Sequence, residues 1–319
     1  MIAWVLGAGA LLVLVFALLS PLESLRWWSR RTDAPLLNTL VHPASEEREN
    51  PGPAPQRYVI YLSGIGSVDA RTDSRRERAV LDAISERVPG VVVAADVFPY
   101  AVENRGLSER ATTWFWSRLQ RWQRVPVASL ISNLINLRNA LRVLVSADPR
   151  YGPTYNLAVA QEIGASLDRH GYRWPERTPV TIIGYSGGGQ IALGASWYLA
   201  GAGVPVSVIS LGGVLSDDPA LDRIEHLWHL YGAKDLLQHL GAVLFPGRWP
   251  TARLSTWHAA HRAGRITRRR IGPMRHTGGR DYFDRHITDT DGTSYRDLTI
   301  TALQEILTGA PPAVAEPSS

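Results

Sequence analysis

Apolar positions along this chain fall into short continuous runs separated by amphipathic stretches. The runs at 58–62 (YVIYL), 91–97 (VVVAADV), 180–183 (VTII), 206–211 (VSVISL) and 226–231 (HLWHLY) are mostly rich in β-branched or aromatic side chains. Runs of this kind predict strands, and the unbroken ones suit a parallel sheet covered on both faces. A further strand is predicted over 264–271 (GRITRRRI). Helical spacing of apolar residues predicts helices at 73–88, 157–170, 187–201, 236–244 and 294–308. Strands alternating with helices predict an α/β domain with a mostly parallel sheet and helices on both faces, spanning 57–309 without internal repeats.

Two stretches interrupt that rhythm. Residues 106–125 place Leu107, Ala111, Phe115, Leu119 and Trp122 on one helical stripe, with Arg110, Arg118, Arg121 and Arg124 mostly away from it. Residues 128–146 repeat the pattern through Leu130, Leu134, Leu137, Leu141 and Leu144, while Arg138 and Arg142 argue against a membrane span there. This helical insertion, about 105–150, is a cap over the site, an element at a lipid interface, or a pair of ordinary helices packed on the sheet.

The amino terminus is different in kind. Residues 1–19 (MIAWVLGAGALLVLVFALL) carry no charged side chain, and about 18 to 20 such residues span a bilayer as a helix. A cleavable leader would carry a positive first region and a small-x-small cleavage site; here the first region has no Lys or Arg, and 17–21 (ALLSP) is a poor cleavage site. A transmembrane anchor over 1–20 is therefore predicted, followed by a juxtamembrane segment and linker over 21–56. Trp27, Trp28, Arg26, Arg30 and Arg31 follow it, so the positive-inside tendency places the domain that follows on the cytoplasmic side of the membrane. Residues 41–56 are polar and proline-rich, and the tail 310–319 has the composition of a disordered segment.

Composition narrows the chemistry. The 319 residues carry a net charge of +5, with no cysteine, which excludes disulfides, thiolate metal sites and a cysteine nucleophile. The excess of arginine suits an anionic membrane or acidic ligands, and no compact basic-aromatic module for nucleic acid is present. No metal-ligand pattern stands out, because 289–292 (DTDG) lacks the remaining ligands of a calcium loop. Neither a Walker-type loop nor a dinucleotide fingerprint occurs, so no cofactor is expected.

The chemistry concentrates at 179–199 (PVTIIGYSGGGQIALGASWYL). Gly184-Tyr185-Ser186-Gly187-Gly188 is a G-x-S-x-G between a predicted strand and a predicted small-residue helix, the context of a nucleophile elbow. A serine at so tight a turn needs unusual backbone angles and small neighbours, and the helix that follows aims free N–H groups at the reaction centre. The competing interpretation is a glycine-rich turn with an ordinary serine.

On these residues the domain resembles the α/β-hydrolase family, whose triad runs serine, acid, histidine in chain order. The resemblance implies Ser186 as nucleophile and a histidine after the last strand, which favours His276 in the loop 272–279, with His286 as rival. It implies an acid after an earlier strand, Asp235, with Asp217 and Asp218 as alternatives. His226 and His229 read as packed within a strand, and His258 and His261 as surface residues. The oxyanion hole would take N–H groups from Gly187 and from Ile65, with Gly64 allowing close approach. Where the family often has His-Gly, this chain has Ser63-Gly64. The resemblance implies a serine hydrolase, lipase- or esterase-like, acting on a small-molecule or lipid-like acyl substrate. The alternative from another class is a non-catalytic relative that binds a lipid or partner at the membrane, in which His276 and Asp235 do not meet.

Overall fold

A computed structural model describes residues 54–66, 75–100 and 127–309, with the backbone alone for 127–135. The elements are β1 (Arg57–Leu62), α1 (Arg75–Arg87), β2 (Val91–Ala94), α2 (Val127–Ala147), α3 (Gly152–Arg169), β3 (Val180–Tyr185), α4 (Gly187–Gly201), β4 (Val206–Leu211), β5 (His226–Gly232), α5 (Leu240–Leu244), α6 (Thr256–Arg262), β6 (Ile266–Gly272) and α7 (Tyr295–Thr308). The six strands form one parallel sheet in the order β2-β1-β3-β4-β5-β6. The chain steps outward from β1 to β2, then returns across β1 to build β3 through β6 in sequence. The reversal leaves a crevice at the carboxyl ends of β1 and β3, where open α/β sheets bind ligands.

Each strand divides its side chains between two cores, because successive side chains point to opposite faces. Tyr58, Ile60, Leu62, Val180 and Ile182 pack with Ile163 and Leu167 of α3 and Ile191 and Leu199 of α4. Val59, Tyr61, Ile183 and Tyr185 pack with Ile84 of α1 and with Ile300 and Leu303 of α7. With both faces covered, the predicted α/β arrangement is observed: a parallel sheet flanked by helices. At one edge, β6 exposes Arg268 and Arg270 and pairs Arg269 with Glu305 at 2.5 Å. Charge along an edge strand opposes pairing with another sheet.

Element boundaries differ most from the predicted ones at three places. The run 91–97 pairs with β1 only through Ala94; beyond it Val97, Phe98 and Tyr100 leave the sheet and are buried as core side chains. Helix α3 starts five residues early, at Gly152 instead of residue 157, with a proline in its first turn, where the missing N–H costs no hydrogen bond. The helix expected at 236–244 is a 3-10 turn, Leu237–His239, followed by the short α5. The predicted span 1–20, the segment 21–53, the helix predicted over 106–125 and the tail 310–319 lie outside the described residues. Among the described residues, no helix is long and apolar enough to cross a membrane.

His229 shows what burial in this sheet does to an ionisable group. Its ring is fully buried in β5, between Ser210 Oγ and Gln238 Oε1, each at 3.3 Å. Burial, reinforced by the nearby Arg248 and Arg268 charges, lowers its pKa from 6.5 to about 4. Unfolding frees a proton site that the folded chain refuses, so folding stability is complete above pH 6.5 and is lost as pH falls from there to about 4. At about 1.36 kcal/mol per tenfold change in proton affinity, the loss attributable to this residue is roughly 3 kcal/mol. Urea unfolding at pH 7 and pH 4 should therefore show a smaller acid loss for His229→Gln than for the parent; equal losses would contradict the assignment.

Candidate active site

Ser186 stands between the end of β3 and the first residue of α4, with φ 54° and ψ −124°. A non-glycine residue at positive φ is strained by about 1–3 kcal/mol and persists only where its surroundings over-determine it. Here they do. The Ser186 N–H donates to Leu211 O at 2.9 Å, and the Gly189 N–H donates to Ser186 O at 3.1 Å. Strand and helix approach so closely that a Cβ on Gly184 would lie 2.5 Å from Gly188 O, and one on Gly188 would lie 2.5 Å from Leu62 O. The two glycines are thus required by backbone packing on either side of the serine.

The imidazole of His276 reaches this serine from the loop after β6. Its Nε2 lies 2.7 Å from Ser186 Oγ, and its Nδ1 lies 2.9 Å from Asp235 Oδ2 and 3.1 Å from Oδ1. The Asp235 side chain is fully buried and that of His276 is 8% exposed. With Nδ1–H donated to the carboxylate, Nε2 is left as the acceptor for the serine hydroxyl. The nucleophile, acid and base named from chain order are therefore in one hydrogen-bonded line.

Asp235 is held by more than the histidine. The Tyr282 hydroxyl donates to its Oδ2 at 2.5 Å, itself accepting from the Gly232 N–H at 2.9 Å. The Leu237 N–H donates to Oδ1 at 3.0 Å. Burial alone would raise the carboxyl, but the His276 and Tyr282 hydrogen bonds and the His276 charge outweigh it and hold the pKa below 3.8. The acid therefore stays ionised throughout the neutral range, and stability it contributes is lost only as pH falls below about 4. Tyr185 fixes the histidine from the other side: its hydroxyl donates to His276 O at 2.5 Å, and its ring stacks on the imidazole at 5.6 Å.

The rival residues are placed elsewhere. His286 is exposed beside Arg285. Asp218 caps a 3-10 turn by accepting from the Ala220 N–H and also accepts from Gln190, its pKa raised to about 6 by burial. The Asp217 carboxylate packs against Gly247. His226 bonds Thr267, and His258 bonds the Trp249 carbonyl. Asp289 closes a turn ahead of α7 by accepting from the Asp291 and Thr293 N–H groups. Among the described residues, no group of three or more His, Asp or Glu is arranged to hold a metal ion.

The loop after β1 abuts the serine. A Cβ on Gly64 would lie 2.8 Å from the Tyr185 ring and 3.4 Å from Ser186 Cβ, and one on Gly187 would lie 2.8 Å from Ile65 Cγ2. Gly187 and Ile65 are thus side by side at Ser186. Two side chains absent from the sequence reading position this loop. The Tyr100 hydroxyl donates to Ser63 O at 2.9 Å, and Asn139 Nδ2 of α2 donates to Ile65 O at 2.6 Å. Together they hold the carbonyls on both sides of the Gly64–Ile65 peptide. The sequence carried no signal for either residue, since each acts across a long separation. No family model matches this chain, and no curated protein matches it.

Proposed function

We propose that this chain is a membrane-anchored serine hydrolase of the α/β-hydrolase type, cleaving an ester through an acyl-enzyme on Ser186. The observation that carries the reading is the unbroken line from Ser186 Oγ through His276 to Asp235, at 2.7 Å and 2.9 Å. The strained elbow and the position at the sheet crevice are what such a nucleophile requires. His276 Nε2 takes the serine proton as Oγ attacks the acyl carbon, and Asp235 stabilises the imidazolium that forms. Charge collecting on the acyl oxygen meets the Gly187 and Ile65 N–H groups. His276 then returns the proton to the departing alcohol, and water, activated by the same histidine, releases the acid. No step needs a metal or cofactor. In a purely binding relative, His276 and Asp235 would stand apart, and here they are in contact.

The test is labelling by a fluorophosphonate, which reacts only with an activated serine. The full chain in detergent should label at Ser186, and Ser186→Ala should not label. A folded parent that stays unlabelled would sink the hydrolase reading.

The loop-positioning role of Asn139 has its own test. Asn139→Ala should lower kcat by on the order of 10²-fold, as misplacement of a reacting group by about 1 Å does, with KM little changed. Loss in KM alone would mean that Asn139 contacts substrate and does not orient the oxyanion donor.

A further inference from the structure

We propose that residues 236–254 form a docking surface for an anionic phospholipid bilayer at the mouth of the site. The segment begins directly after Asp235. Its outward positions are Leu236, Leu237, Leu240, Val243 and Leu244, with Leu236 76% and Val243 65% exposed. Trp249 extends the patch, its indole N–H donating to Val243 O at 3.3 Å.

The usual arrangement of an amphipathic segment is reversed here. The inward positions are polar or bare: Gln238 and Gly241 are buried, and a Cβ on Gly241 would lie 2.5 Å from Arg248 Nη1. Arg248 is itself buried, donating to Leu215 O at 2.8 Å and stacking over Trp257 at 3.8 Å. The leucines are therefore turned outward by a locked polar underside and are not the loose end of a flexible turn. A contiguous exposed apolar surface of this kind marks an interaction site.

Charge selects the occupant. Residues 236–280 contain no aspartate or glutamate and nine arginines. Lys234, Arg275 and Arg280 are exposed and stand with the patch at the carboxyl edge of the sheet, where the Lys234 N–H bonds Met274 O and the Arg275 N–H bonds Arg280 O. Leucine and tryptophan beside cations that have no acidic partner among the described residues fit acyl chains beneath anionic headgroups. A second copy of the chain, joined by a two-fold axis, would set the same cations against each other. The uncharged stretch 1–19, long enough to span a bilayer as a helix, would hold the domain beside a membrane and within reach of this surface. On the hydrolase reading, on which only this consequence rests, the substrate entering beside Ser186 is a lipid acyl ester.

The absence of cysteine permits a direct test. In the full chain, Val243→Cys carries an environment-sensitive fluorophore, and Asp291→Cys, on the exposed turn before α7, serves as control. Each is reconstituted in vesicles of phosphatidylcholine with or without phosphatidylglycerol, doped with a spin-labelled quenching lipid. Position 243 should shift to the blue and be quenched several-fold more than position 291 when phosphatidylglycerol is present. Adding Arg275→Glu and Arg280→Glu should remove most of that difference. Equal quenching at both positions, no dependence on phosphatidylglycerol, or a blue shift that grows with protein concentration without lipid would each overturn the proposal, the last by assigning the patch to self-association. Performed also in Ser186→Ala, the measurement reads docking whether or not the chain hydrolyses anything.

Discussion

Replacing His276 by alanine should abolish turnover of any ester substrate, with kcat falling by roughly 10⁴- to 10⁶-fold, the range seen when one member of a serine triad is removed. The size follows from the geometry. Among the described residues, Ser186 Oγ has one base within reach, at 2.7 Å, and a neutral hydroxyl is a poor nucleophile without it. The rival histidines cannot substitute, because His286 is exposed next to Arg285 and His229 is engaged inside β5. Fluorophosphonate labelling should fall in parallel, while thermal unfolding shows that the protein remains folded. A variant with near-parental turnover would remove His276 from the mechanism and with it the assignment of Asp235.

The second large effect belongs to Asp235→Asn, expected to lower kcat by about 10⁴-fold. The amide keeps the size of the carboxylate but presents Nδ2–H where an acceptor is needed. Nδ1 of His276 must then accept, the proton moves to Nε2, and the ring can no longer take the serine proton. The Tyr282 hydroxyl, which donates to the same oxygen at 2.5 Å, faces the same conflict. Tyr282→Phe supplies the comparison: it removes one donor and leaves the tautomer unchanged, so its kcat loss should be far smaller than that of Asp235→Asn. Comparable losses in the two variants would show that Asp235 acts through local structure and not through the tautomer of His276. Pre-steady-state burst kinetics on both proteins would separate acylation from deacylation.

Much of this arrangement was legible along the chain. The runs at 58–62, 180–183 and 206–211 are strands because they are short, rich in β-branched or aromatic side chains and apolar on both faces, and all three lie inside the sheet. Chain order and loop position singled out Ser186, Asp235 and His276 from a field of nine histidines and 29 acids. Composition alone placed the cysteine-based chemistries out of reach.

Other features exist only in three dimensions. Tyr282, Asn139 and Tyr185 meet Asp235, Ile65 and His276 across 47, 74 and 91 residues, and no local pattern encodes a contact at such separations. The helix expected at 236–244 illustrates the reverse case. Its apolar content suits a buried helix, yet the Asp235 carboxylate takes the Leu237 N–H, the segment tightens into a 3-10 turn, and Arg248 occupies the space beneath. The sequence by itself determined the order of the strands along the chain and the glycine-flanked turn at Ser186, and it favoured the two residues, Asp235 and His276, that meet that serine, because these depend on local periodicity, turn chemistry and chain order. Tertiary structure alone decided which polar groups hold the triad in line and which leucines face outward, because both depend on what the rest of the chain packs against them.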